Sequence, residues 1–137
     1  FCSPGFNLPF GLFQRSQFGT YPEYHTSRDN LSFIRPEHLA QSYNWMMQVL
    51  DLLDADRTLV NQSPRGEPQL GRRGLYSGYG SGEAAMKRNM ALLWVLNLSD
   101  GQHSLLDIAE RAGMPFPEIA QAASDLERCE LLAPAAP

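Results

Sequence analysis

The chain has 137 residues, of which 43% are hydrophobic and 19% are charged, and this length allows one ordinary domain or two small ones. The longest uncharged apolar run, residues 90–98, is interrupted by Asn97 and is far shorter than the ~20 residues of a membrane span, which excludes a transmembrane helix. The formal net charge of −4 argues against nucleic acid as the partner of the whole chain, because nucleic-acid binders usually carry a basic surface.

The first 34 residues are rich in Gly, Pro and aromatic side chains. The chain begins with Phe1 and carries no positively charged start before an apolar stretch, so we expect it to continue from a longer sequence rather than to begin with a signal peptide. Three prolines remove backbone donors and predict mostly loop, with residues 11–13 as the best candidate strand. So many aromatic side chains are costly to leave in water, and we expect this segment to pack on another body.

A long amphipathic helix is predicted from Pro36 to about Leu53. Proline suits the first helical position, where its missing N–H costs little. Apolar side chains then recur at spacings of three and four and form one stripe over nearly five turns: Leu39, Tyr43, Met46, Met47, Leu50 and Leu53. Such a helix needs a sheet to cover its stripe.

Glycine and proline dominate residues 57–82. We interpret this stretch as turns and linker with short strands at 58–60 and 74–76, followed by a module boundary near 80–82.

Three arginines, Arg65, Arg72 and Arg73, lie among these glycines. They either grip an anion together with backbone N–H groups or form a solvated turn held by carboxylates such as Glu67. The second interpretation is favoured, because the sequence has no Lys-Ser/Thr ending and no strand–GxGxxG–helix context.

The last third predicts a compact helical unit. An apolar helix covers residues 84–98 and ends in a turn. Ser104 is predicted to cap the second helix, which ends at Gly113. A third helix runs from Pro117 to about Cys129, and a strand follows it. Three helices, a glycine turn and a terminal strand match the winged variant of the helix-turn-helix.

The third of these helices is the candidate recognition helix, and it is acidic. It offers a single basic residue, Arg128, against four carboxylates that would be repelled by DNA phosphates: Glu118, Asp125, Glu127 and Glu130. A role in packing on another domain or chain is therefore favoured over DNA binding.

Among the three histidines, His38 and His103 are expected to be solvated surface residues. His25 differs because hydroxyl and carboxylate side chains, including Asp29, lie close in sequence, and such groups can orient a metal-binding imidazole. From spacing alone, a loop histidine satisfied by backbone groups is favoured over a metal-binding or catalytic role.

The run YPEYHTSRDNLSFI, followed by the long amphipathic helix, resembles the end of the catalytic domain in bacterial di-zinc aminopeptidases. Those enzymes close their ligand set with a Tyr/Phe-His-Thr-x-x-Asp motif, matched here by residues 24–29. Further runs are similar to a branch associated with polysaccharide biosynthesis, in which a winged helix follows the peptidase-like domain: CSPGFNLPFG, NQSPRGEPQLGRRGLY and ALLWVLNLSDG.

The resemblance implies that His25 is a zinc ligand and that Asp29 supports it. It implies zinc as cofactor and a peptide or amide substrate for the full-length protein, with the remaining ligands and the general base upstream of Phe1. A di-zinc site needs about five ligands, including a bridging carboxylate, so His25 alone is not expected to support hydrolysis. No catalytic residue is assigned within the chain.

The expected fold is therefore an α/β fragment, the end of an aminopeptidase-like α/β/α domain, followed by a small winged helix-turn-helix domain. The expected divisions are 1–57 for the aminopeptidase-like remnant, 58–82 for the connecting segment and 83–137 for the winged helix. Two alternatives remain open. In one, the protein is a DNA-binding winged-helix regulator. In the other, the winged helix is an interaction module that forms a homo-oligomer through an apolar patch at Phe116, Leu131 or Leu132.

The two cysteines, Cys2 and Cys129, lie almost at opposite ends of the chain. This arrangement fits neither a disulfide framework nor a zinc ribbon, so we expect free thiols in a reducing compartment, the bacterial cytoplasm.

Overall fold

The computed structural model describes residues 1–76 and 82–135. Its chain divides into two compact units, residues 1–49 and residues 50–137, which are described separately below. The boundary expected near residues 80–82 falls largely outside the described residues.

Residues 1–35 of the first unit form turns and loops, with no helix or strand. Successive turns are closed by backbone hydrogen bonds, such as those from Thr20 N to Gln17 O (3.1 Å) and from Phe33 N to Asn30 O (2.9 Å). The strand expected at residues 11–13 is absent, because no described segment offers its backbone a partner. Most of the large apolar side chains of this segment are exposed.

Helix α1 spans Pro36–Ala55 and has no buried residue. Its start at Pro36 and its end beside Asp54 confirm the sequence prediction. The apolar stripe is present but uncovered within the described residues, since every member of it is exposed and Leu53 keeps 60% of its surface accessible. Residues 1–49 contain no strand that could form the sheet that the stripe was expected to need.

The second unit contains three helices and a three-stranded antiparallel sheet. Its elements are β1 Thr58–Asn61, a 3-10 turn Leu70–Arg73, α2 Glu83–Leu98, β2 Asp100–Ser104, α3 Leu105–Ala112, α4 Phe116–Arg128 and β3 Leu132–Pro134. The strand order is β2-β1-β3, with Thr58 paired to Ser104 on one side and Val60 to Ala133 on the other. The winged-helix prediction is confirmed, but β2 stands where the sequence predicted only a turn.

The segment expected to connect the two domains lies instead inside the winged-helix unit. Its first residues form the middle strand of the sheet, and Leu59, Leu70 and Leu75 are buried in the core. Residues 74–76 are not a strand, because the chain tightens into the 3-10 turn just before them. Glycine-rich composition indicated a linker, whereas three separated leucines bind this segment to the core through the hydrophobic effect.

The core joins the three helices to the sheet. Each of α2, α3 and α4 contributes fully buried side chains, among them Leu92 of α2, Ile108 of α3 and Ile119 of α4. Helix α3 begins with the predicted cap: Ser104 Oγ accepts from Asp107 N, and the Asp107 carboxylate accepts from Ser104 N. These local contacts orient the turn that leads into α4.

Two of the three side chains expected to form an apolar oligomerisation patch are not exposed. Leu131 and Leu132 are buried in the core, and Phe116 packs partly against it. The exposed large apolar side chains of α2 are Met86, Met90 and Leu93.

Candidate functional site

His25 lies in a series of tight turns. The backbone N–H of Tyr24 donates to Tyr21 O (3.2 Å), and that of Thr26 donates to Glu23 O (3.1 Å). His25 itself adopts a φ of +56°, in the left-handed region that few non-glycine residues enter. The two turns meet at this residue.

The imidazole of His25 stacks on the ring of Tyr24. The ring centroids are 4.0 Å apart and the interplanar angle is 13°. His25 is exposed, and within residues 1–76 and 82–135 its ring nitrogens make no hydrogen bond. The stacking holds the ring by its face and leaves its nitrogen edge open to a metal ion or a substrate.

Tyr24 is in turn held by other aromatic side chains. Its ring lies 5.7 Å from that of Tyr21 and 5.9 Å from that of Phe18, and Tyr21 stacks on Phe33 at 6.0 Å. The sequence alone gave Tyr24 no role. The three-residue spacing of aromatic residues 18, 21 and 24 was the available indication.

The structure does not bring the Asp29 carboxylate into a hydrogen bond with His25. Asp29 is exposed, and its backbone N–H donates to Thr26 O at 3.1 Å, which closes the turn after His25. Its observed contact therefore fixes the loop rather than the imidazole.

His25 fits one position of a zinc ligand set, because an open imidazole nitrogen is a common zinc donor. No group of three His, Cys, Asp or Glu side chains able to hold a metal occurs in the described part of the chain. The described residues therefore fit a single ligand position and not a complete metal site.

A cleft of about 510 Å³ in the same unit is positively charged. Its lining includes Arg15, Arg35, His38 and Tyr21, the ring that contacts Tyr24. The Arg15 guanidinium donates to the carbonyl of His38 at 3.3 Å. Guanidinium groups in such a cleft can bind a carboxylate or phosphate.

Three of the four carboxylates assigned to the candidate recognition helix are paired within the winged-helix unit, and the fourth, Glu130, is exposed. Glu118 accepts from Lys87 of α2 at 2.7 Å, and Glu127 binds both terminal nitrogens of Arg57 at 3.0 and 2.6 Å. Asp125 is 3% exposed and also bound by arginine. These acids hold α4 against its neighbours, a role that their sequence pattern did not reveal.

One arginine of the predicted cluster, Arg73, has a structural role. Arg73 Nη1 donates to Cys129 O at 2.9 Å, and its Nε donates to Pro68 O at 3.2 Å. Arg73 therefore ties the segment after β1 to the end of α4, using carbonyl groups rather than the carboxylate of Glu67.

None of the described helices is long and apolar enough to cross a membrane.

In the second unit, β1 is the middle strand, β2 precedes α3 and β3 follows α4. This arrangement defines a winged-helix domain. The chain belongs to the winged helix-turn-helix family, whose model matches residues 57–134. A second family model, described as a domain of unknown function, matches residues 1–56.

A similar protein of Clostridium acetobutylicum carries the name of a polysaccharide biosynthesis protein with an aminopeptidase-like domain. The two are 47% identical over 132 residues, which cover 96% of this chain and 30% of the relative. A crystal structure from the same organism, titled as that of a peptidase, matches with a TM-score of 0.81 and 43% identity over 97% of this chain and 28% of that one. The chain thus spans less than a third of either protein, and the resemblance found in its sequence is confirmed.

Proposed function

We propose that the chain is the C-terminal part of a zinc-dependent aminopeptidase-like hydrolase that acts on a peptide or amide substrate. The observation that carries the proposal is the 47% identity, over nearly the whole chain, to a protein named for its aminopeptidase-like domain. The relative's name also suggests a setting in polysaccharide biosynthesis. The winged helix would then pack within the larger protein or against a partner.

His25 is the proposed zinc ligand. Its open nitrogen edge, its stacking on Tyr24 and its left-handed backbone all support a ring held ready for a ligand outside its own segment. Bound zinc would supply a Lewis acid for the substrate carbonyl. Asp29 is proposed to support His25 by fixing the loop through its bond to Thr26.

The first unit is proposed to complete an α/β/α domain with residues outside this chain. Its support is the uncovered apolar stripe of α1, together with exposed aromatic side chains such as Phe1, Phe6 and Phe10. Burial of such side chains stabilises a domain by about 1.5–3 kcal/mol each, so an adjoining sheet would gain much from covering them.

Zinc content of the full-length protein tests the ligand assignment. His25→Ala should lower the zinc-to-protein ratio measured by inductively coupled plasma mass spectrometry. His103→Ala is the matched control, because His103 lies in the winged-helix unit beside Asp100, and it should leave the ratio unchanged. An unaltered ratio in His25→Ala would end the zinc-ligand assignment.

Packing rather than DNA binding is proposed for the winged helix, because three carboxylates of α4 form ion pairs with basic side chains of the same unit. Fluorescence anisotropy with labelled duplex DNA at low salt should give no binding. Binding that weakens steeply as the salt concentration is raised would instead support the alternative that the protein is a DNA-binding regulator.

A further inference from the structure

A cavity of about 610 Å³ opens in the winged-helix unit between α2 and the chain that follows β1. Its volume falls within the range of small-molecule sites. Helix α2 supplies Met90, Leu93 and Trp94, while Pro64 and Pro68 supply the facing wall. Met90 and Leu93 are exposed, so the apolar surface is accessible from solvent.

The charged side chains that line this cavity are both acidic. Glu67 and Asp100 are among the lining residues, and no Lys, Arg or His belongs to the lining. Glu67 makes no ion pair or hydrogen bond within the described residues. Asp100 accepts from Gln102 N at 2.8 Å and contacts the His103 ring at 3.0 Å, contacts that hold its carboxylate in place.

Ser99 also belongs to the lining residues, but its hydroxyl oxygen is buried. It is 3% exposed, and its Oγ has no hydrogen-bond partner in the described part of the chain. The neighbouring Asn61 side chain is already occupied: its Nδ2 donates to Leu96 O at 2.8 Å, and its Oδ1 accepts from Ser63 N at 2.8 Å. These two polar side chains therefore offer no free group to a ligand, and the two carboxylates provide the polar recognition.

We propose that this cavity binds an organic ammonium group carried on an apolar body. The carboxylates of Glu67 and Asp100 attract the cation, and the Trp94 ring favours it through its π-face. The apolar body packs against Leu93 and Met90. The ammonium group comes either from a free small amine or from a lysine side chain in a peptide, and both present the same chemistry.

Isothermal titration calorimetry on the intact protein tests the proposal with three probes. The amine 2-phenylethylamine should bind at least about tenfold more tightly than 3-phenylpropionate, which has a similar body and the opposite charge, as two nearby carboxylates require. Tighter binding of acetyl-Leu-Lys-Leu-amide than of the amine assigns the peptide source, and weaker binding assigns the free amine. Equal affinity for the amine and the carboxylate, or no binding of any probe, overturns the proposal.

A pair of charge variants locates the binding. Glu67→Gln should weaken amine binding at least about threefold, because it removes one lining charge and keeps the shape of the side chain. Glu110→Gln removes an exposed carboxylate of α3 that does not line the cavity, and it should leave the affinity unchanged. Equal losses in both variants would show a general effect of net charge and would overturn the assignment to this cavity.

Discussion

Asp125 of α4 accepts a hydrogen bond of 2.9 Å from the guanidinium of Arg88 on α2. The Gln121 amide donates to the other oxygen of the same carboxylate at 2.8 Å, and Arg128 also binds it. A carboxylate that is 3% exposed is therefore fully surrounded by donors, and it joins the two helices at the edge of the core.

Asp125→Asn should lower the free energy of unfolding by about 1–3 kcal/mol, because an amide presents N–H groups to arginine donors that need an acceptor. Urea denaturation monitored by circular dichroism measures the loss. Glu118→Gln is the matched control, since it breaks an exposed α4–α2 pair with Lys87 and should cost about 0–1 kcal/mol. Equal losses in the two variants would contradict the special position of Asp125.

The contribution of Asp125 should also depend on pH. Burial raises the pKa of this carboxyl, but hydrogen bonds from Arg88 and Gln121 outweigh burial and leave the pKa below its ordinary value. A depressed folded-state pKa gives stability that is present above the unfolded value of about 3.9 and is lost as pH falls through the folded value. The difference in unfolding free energy between the native protein and Asp125→Asn should therefore shrink below about pH 4. A difference that stays constant between about pH 7 and pH 3 would contradict this origin.

A second carboxyl is held in its charged form at the start of β2. The backbone N–H of Gln102, followed by the side chain of His103, lowers the pKa of Asp100 to about 2. His103→Ala should raise this pKa but leave it below about 3.9, since the backbone donor remains. Carbon-13 NMR titration of the carboxyl measures the shift, and His38→Ala should leave it unchanged. The stability that this carboxyl contributes should begin to fall as pH drops below its unfolded value of about 3.9, and it should be lost as pH falls through about 2.

Gly113 and Gly101 both have a positive φ, and alanine substitutions at the two positions distinguish the cost of backbone strain from the cost of steric crowding. Gly113 has a φ of +63° and open space where a Cβ would stand, so Gly113→Ala should cost about 1–2 kcal/mol through strain alone. Gly101 has a φ of +83°, and its Cβ would lie 3.2 Å from Val60 Cγ2, so Gly101→Ala should cost more. Thermal and urea unfolding of the two variants compare the costs. A smaller loss for Gly101→Ala would show that β1 yields easily at Val60.

The uncovered stripe of α1 gives a test of the larger domain. In the full-length protein, Leu39→Gln should lower the free energy of unfolding by about 2–5 kcal/mol if another segment buries this side chain. In the 137-residue chain, where Leu39 is exposed, the same change should cost less than about 0.5 kcal/mol. Gln41→Ala on the polar side is the control in both proteins. Similar small losses in both would count against a covering sheet.

Features with local causes were predictable from the sequence. Ser104 with Asp107, and Gly113 at the helix end, act within one turn of chain, and both ends of α3 are as predicted. The start of α1 at Pro36 has the same local origin.

Features with distant causes were not predictable. Strand β2 reads Asp-Gly-Gln-His-Ser, a composition typical of a turn, and it is a strand because β1 pairs with it. The leucines of the expected linker belong to one buried cluster with side chains of α2, α3 and α4, which no periodicity within residues 58–82 could indicate.

In the candidate site, too, some features were predictable from the sequence and others were not. His25 was identified because its motif resembles a known ligand motif, and its chemistry followed from that resemblance. Its stacking on Tyr24 depends on a left-handed backbone at a residue other than glycine, for which the sequence gives no indication. The pairing of the α4 acids likewise depends on Lys87 and Arg57, which are distant in sequence.

The middle position of β1 has an evolutionary consequence. A gene fusion that joined this module to a new host at residue 83 would deliver β2 and β3 with their inner edges bare, inviting aggregation. Fusion just after α1 would carry Asp56, whose carboxylate caps Leu106 N at 2.9 Å, and would transplant the sheet whole. Inheritance of the winged-helix domain with its complete sheet therefore favours a recombination point near residue 56.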